Sequence, residues 1–103
     1  MTESWRPAPG FELSHQVSDR GGVRSVDRTV RRTDGSTYRH PGQPMRLRRH
    51  AKYGYLLVDL LGVTCSVAEL VLTAFVGPRP AGQRPQHADG DRGNCALENL
   101  AWG

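Results

Sequence analysis

Lysine is nearly absent from this 103-residue chain: of fourteen basic side chains only Lys52 is not an arginine. Cysteine is scarce as well. Cys65 and Cys95 lie far apart with no C-x-x-C spacing, which excludes a zinc knuckle or a dense disulfide framework and leaves two reduced, small core residues. Long apolar runs are missing too. The most apolar stretch, Tyr55 to Val76, is broken by Asp59, Gly62, Thr64, Ser66 and Glu69, well short of the roughly 18 uninterrupted apolar residues of a membrane span. The N-terminus, Met1 to Pro7, has no basic segment leading into an apolar one, so neither a signal peptide nor a membrane partner is expected, and the expected location is cytoplasmic. A hydrophobic content of 37% leaves one small domain with a modest core and excludes a two-domain enzyme.

What is present is positive charge. The net charge is +4, and a guanidinium grips phosphate at two points, so a polyanion is the partner this balance suits. A genome rich in G and C writes arginine by default, so the clustering carries more weight than the count. Arg28, Arg31, Arg32, Arg39, Arg46, Arg48, Arg49 and Lys52 fall in the middle third, where a basic face is expected.

Twelve glycines and seven prolines cut the chain into short elements, as in a small α+β domain. Gln16 to Ser18 and Val23 to Val26 flank the turn-like Asp19-Arg20-Gly21-Gly22. A second hairpin is expected at Asp34-Gly35, between Arg28 to Arg31 and Ser36 to Arg39. Tyr55 to Leu61, bounded by Gly54 and Gly62, reads as a central strand. Tyr53 and Tyr55, at its start, read as core residues rather than as contacts to a partner. Ser66-x-x-Glu69 is a capping box that opens a helix, and Val67, Leu70, Val71, Ala74 and Phe75 form its apolar stripe. Gly77-Pro78 stops it, and a loop to Pro85 follows.

The last twenty residues carry the candidate chemistry. His87 ends a short extended segment and is followed by Asp89-Gly90-Asp91, Asn94, and then Leu97-x-Asn99-Leu100-x-Trp102. A neutral imidazole takes a proton from water, and Asp and Asn oxygens suit Mg²⁺ or another divalent cation in phosphate chemistry. The same residues also suit a polar loop that caps its own backbone, with His87 merely exposed.

The pattern His87-x-Asp89-Gly90-Asp91-x-x-Asn94 with Leu97-x-Asn99-Leu100-x-Trp102 resembles the HNH endonucleases of phage and intron-encoded nucleases. The helix lead-in, Val67, Leu70-Val71 and Ala74 to Gly77 with Pro80, resembles the segment ahead of that motif, and Trp5, Phe11-Glu12, Gln16 to Asp19 and Gly22 to Ser25 resemble the nuclease-associated module fused in front. This resemblance implies a β-meander over residues 1–62 with a basic face, then one helix and a ββα-metal finger over 63–103. It implies an endonuclease that nicks or cuts double-stranded DNA with a divalent metal, Mg²⁺ or Mn²⁺. On this reading His87 is the general base, and Asn99 holds the loop and orients His87 through hydrogen bonds. Gln86 and Asp89 are the weak metal-ligand candidates, while Asp91 and Asn94 shape the loop with Asp89. Arg24, Arg28, Arg31, Arg32, Arg46, Arg48, Arg49 and Lys52 are the candidate DNA contacts.

Three departures accompany the resemblance. Gln86 stands where some members place a metal-binding Asp or His, and Ala68 stands where many have a helix histidine. The helix that completes a ββα finger is expected beyond Gly103, so the finger reads as truncated, with a second copy or a larger protein supplying the helix. The alternative function is a DNA-binding module without cleavage.

Overall fold

The computed structural model describes residues 3–103, apart from the side chains of Arg28 and His40. The fold is α+β, with small antiparallel sheets around one helix. Strands β1 (Trp5–Pro7), β2 (His15–Ser18) and β3 (Val23–Ser25) form the first sheet, with Val17 opposite Val23. The expected turn joins β2 to β3. Ser18 Oγ accepts from the backbone amides of Arg20 (3.2 Å) and Gly22 (2.9 Å). Strand β1 was not anticipated, because a three-residue stretch ending in proline has no strand signature. Proline removes a ladder donor and is tolerated at an edge, which is where β1 sits.

Strands β4 (Arg28–Arg31) and β5 (Thr37–His40) form the second hairpin, with Val30 opposite Tyr38. Asp34 Oδ1 accepts from Ser36 at both the amide (2.9 Å) and the hydroxyl (2.6 Å), and Gly35 takes the left-handed conformation (φ 88°) that the tip requires. This ribbon packs chiefly on itself, so the molecule is elongated, 52 × 30 × 29 Å. Its radius of gyration is 15.3 Å, against about 13 Å for a compact chain of this length.

The third sheet has the order β6 (Arg48–Arg49), β7 (Leu56–Leu60), β8 (Val63–Ser66). The apolar run is its central strand, as its composition predicts. Strand β8 was not read from sequence. It returns through a two-residue turn in which both Leu61 (φ 49°) and Gly62 (φ 81°) are left-handed, the requirement of a type I′ hairpin.

Helix α1 (Val67–Phe75) starts where the capping box places it, with Ser66 Oγ accepting from the Glu69 amide at 3.4 Å. The second half of the box is replaced: Glu69 Oε1 faces Arg79 Nη1 at 3.6 Å. Val67, Leu70 and Val71 are buried as the stripe predicts, joined by Ala68 and Leu72, while Ala74 and Phe75 are half-buried. They meet Val17, Val58, Leu60 and Leu100 in one core, where each fully buried aliphatic side chain contributes roughly 1.5–3 kcal/mol. Cys95 belongs to this core and Cys65 packs against it. Both are free thiols.

The chain closes with β9 (Pro85–His87), a 3₁₀ turn (Leu97–Asn99) and β10 (Leu100–Trp102), His87 lying opposite Leu100. Trp102 Nε1 donates to the Gly77 carbonyl at 3.1 Å, fastening this hairpin to the end of α1. The β2–β3 turn meets the same region, because a Cβ on Gly21 would lie 2.9 Å from the Cys95 carbonyl. Among the described residues no helix is long and apolar enough to cross a membrane.

Candidate active site

The loop between β9 and the 3₁₀ turn is held by its own polar side chains. Asn99 is buried and uses both ends of its amide. Its Oδ1 accepts from the Asp89 amide (3.0 Å), and its Nδ2 donates to Asp89 Oδ1 (3.0 Å) and to the Asn94 carbonyl (3.0 Å). Asp89 also accepts from the Asp91 amide (2.8 Å) and from Asn94 Nδ2 (2.9 Å). Asp91 Oδ1 accepts from the Gly93 amide (2.9 Å). The Asp89 carboxyl is held below its usual range by the hydrogen bonds from Asn94 and the Asp91 amide, so it stays ionised. Asp89, Asp91 and Asn94 are thus the framework of the loop.

Asn99 makes no hydrogen bond to the His87 ring. It fixes the histidine through the backbone, its carbonyl accepting from the Ala88 amide at 2.8 Å. His87 itself is half-buried, and its Nε2 is enclosed without a protein partner among the described residues. Burial lowers the His87 pKa below 6.5, nearby Asp89 opposes that shift and Arg92 adds to it, so the neutral, proton-accepting form is favoured.

His87 lines a cleft of about 990 Å³ between the finger, the start of α1 and the third sheet. Tyr53, Tyr55, Arg79, Arg84 and Arg92 contribute to its walls. Tyr53 and Tyr55 are not core residues: their rings stack on His50, with centroids 5.1 and 4.7 Å away, and Tyr53 is 50% exposed. His50 Nδ1 accepts from the amides of Lys52 and Tyr53 (both 3.1 Å), so the tyrosine pair is built by a histidine-capped turn. Sequence reasoning missed His50, Arg79, Arg84 and Arg92. The last three lie in loops rich in glycine and proline, where no periodicity flags a side chain. Arg92 Nη1 donates to the Tyr53 carbonyl at 3.1 Å, tying the finger loop to the aromatic turn.

The metal-ligand candidates do not converge. Gln86 precedes His87 on β9 and lines the same cleft, its Nε2 donating to the Gly103 carbonyl at 3.4 Å. Asp89 is committed to three donors inside its loop. Among the described residues no three His, Cys, Asp or Glu side chains come together. The donor set of this chain therefore does not fit a complete divalent-metal site. Ala68 is buried beside the cleft, where an alanine offers no ligand.

The candidate DNA contacts divide by what already holds them. Arg31, Arg32 and Arg46 are exposed, Arg32 lying over the Tyr38 ring at 4.5 Å. Lys52 is exposed beside Tyr53. Arg24 lies 3.9 Å over the Trp5 ring and its Nε donates to Gln16 at 2.9 Å, which braces the first sheet. Arg48 is paired with Asp59 at 3.0 Å, and Arg49 donates to the Gly54 carbonyl at 3.2 Å while covering Gly93. The Arg28 side chain lies outside the described set.

Two families match the chain in succession: the NUMOD4 motif over residues 3–60 and HNH endonuclease over residues 69–103. No curated protein sequence matches it. A solved structure of DNA binding and cleavage by the HNH homing endonuclease I-HmuI is similar at 27% identity and a TM-score of 0.73, covering 97% of this chain and 52% of that one. The small antiparallel sheets around one helix thus share the fold of an HNH nuclease. The chain belongs to the NUMOD4 family, whose motif spans more than half of it, and its C-terminal part matches HNH endonuclease. It spans about half the length of the endonuclease it resembles.

Proposed function

We propose that this chain is the DNA-gripping and proton-accepting part of an HNH endonuclease that hydrolyses phosphodiester bonds in double-stranded DNA. The observation that carries this reading is His87, held at the end of β9 by the Asn99–Asp89 loop and lining a cleft walled by arginines and tyrosines. As general base, His87 takes a proton from the attacking water, while Arg84 and Arg92 balance phosphate charge at the cleft. Residues 1–62 are the β-rich module with the basic ribbon, and 63–103 are the finger. The β7–β8 hairpin runs across that boundary, which supports reading them as one compact unit.

HNH endonucleases generally use divalent metal ions. Mg²⁺ is the ion proposed here, with Mn²⁺ as its substitute. Because this chain's own residues do not complete a ligand set, the steps assigned to it are binding, positioning and proton transfer. That same incompleteness favours a second reading: a module that binds DNA without cutting it. A duplex DNA substrate is reached inside the cell, and a double-strand cut from one cleft calls for a second copy or for bent DNA.

Plasmid nicking with Mg²⁺, Mn²⁺ and EDTA, run beside His87→Ala, separates the readings. The endonuclease reading expects metal-dependent nicks that disappear in the variant. Duplex binding without any nicking sinks it and leaves the binding module. If His87→Ala cuts as well as the native chain, the general-base assignment is wrong.

A further inference from the structure

The third sheet has one inward and one open face. Leu56, Val58 and Leu60 turn toward α1, so Leu57 and Asp59 occupy the other side. Ser66 and Thr64, their cross-strand partners, share that side, as does Arg48 opposite Leu57. Leu57 and Ser66 line the cleft that holds His87. The next row outward on the same surface is therefore Asp59 and Thr64, with Arg48 reaching across them.

Each of the three strands contributes one residue to this network. Arg48 Nη2 donates to Asp59 Oδ1 (3.0 Å) and to Thr64 Oγ1 (3.3 Å), and Thr64 Oγ1 donates to Asp59 Oδ1 (2.8 Å). Arg48 and Asp59 are more than half exposed. An exposed pair of this kind adds little to stability. A carboxylate on a surface that meets duplex DNA also repels phosphate, so a simple phosphate clamp would be better built without Asp59. Against base edges the acid has a use, because it holds a long side chain in one orientation before DNA arrives. Nη1 is uncommitted among the described residues, and the longer contact to Thr64 can yield the second Nη2 hydrogen. Nη1 and Nη2 then form the two-point fork that matches O6 and N7 of guanine.

We infer that Arg48, braced by Asp59 and Thr64 on the open sheet face beside the cleft, reads a guanine in the major groove. The inference rests on the proposed DNA-binding function and adds a determinant of sequence preference to it.

The test selects binding sites for the 103-residue chain from a randomised duplex pool, then measures affinity for the selected sites over a range of salt. The native chain should fix guanine at one position, with about ten- to hundred-fold discrimination there. Arg48→Ala and Arg48→Lys should lose the preference at that position alone and leave the others unchanged. Asp59→Ala and Asp59→Asn should weaken it at the same position. Circular dichroism checks folding, and the near-isosteric Asp59→Asn carries the test if an Arg48 variant unfolds. Uniform loss of affinity across sequences in Arg48→Ala, with the salt slope lowered by about 0.9, marks a phosphate contact and overturns the inference. Binding without sequence preference, or preferences that survive both sets of variants, also overturns it. If the native chain binds no duplex at all, the proposed function fails and takes this inference with it.

Discussion

Burial lowers the pKa of both His15 and His87. Each binds a proton less readily folded than unfolded, so the stability it contributes is complete above pH 6.5 and is lost as pH falls toward the folded value. Thermal unfolding followed between pH 7.5 and 5 should show a falling midpoint, with a smaller fall in His15→Leu. For catalysis the sign is the same. The acid limb of nicking, if His87 is the base, should have its midpoint below pH 6.5, and a midpoint clearly above that value would contradict the assignment. Asn99 offers a sharper contrast. Asn99→Ala strands the Asp89 amide and the Asn94 carbonyl, at a cost of about 1–3 kcal/mol. Asn99→Asp sets a second carboxylate against Asp89 and should destabilise the chain further in denaturant titrations. Burial raises the Cys95 thiol to about 11. Native Cys95 should resist alkylation at pH 8 and react only once the chain is unfolded, read by mass spectrometry.

Single elements differ in how far local sequence accounts for them. Ser66→Ala removes the hydroxyl that caps α1 and should cost about 1 kcal/mol, measured by urea unfolding. That helix was legible because both its cap and its apolar stripe lie within ten residues. The two turns at Asp19–Gly22 and Asp34–Gly35 were legible for the same reason. Strand β8 was not, since Val63-Thr64-Cys65-Ser66 becomes a strand only when β7 is beside it. Gly21 shows how a local feature acquires a distant constraint. Its left-handed φ of 85° belongs to the turn, but the absence of a side chain also lets the turn sit on Cys95. Gly21→Ala should therefore cost more than the roughly 1 kcal/mol of the conformational effect alone, whereas Gly35→Ala, open to solvent, should cost only that.

The whole molecule is a packed body with a projecting ribbon. Because β4 and β5 pack chiefly on each other, replacing residues 29–39 by a short turn should leave thermal unfolding nearly unchanged. Duplex affinity should fall in the same variant, together with the slope of log affinity against log salt, by about 0.9 for every phosphate contact removed. An unchanged slope would mean that Arg31, Arg32 and Arg39 do not touch the backbone of DNA. The charge excess of the middle third is likewise less uniform than its composition implies. Arg48 is neutralised by Asp59, Arg39 is paired with Asp27, and Arg24 is spent on Trp5.

The sequence by itself determined the α+β class, the helix and its boundaries, two hairpins, the central strand, and a histidine at the end of an extended segment. These follow from periodicity, caps and turn residues that act over fewer than ten positions. The tertiary structure decided which polar groups remain free to act. Asp89 accepts three hydrogen bonds from its own loop, Gln86 reaches the Gly103 carbonyl, and Arg24 lies over Trp5. Availability of a side chain depends on neighbours that are distant along the chain, and only folding brings those together.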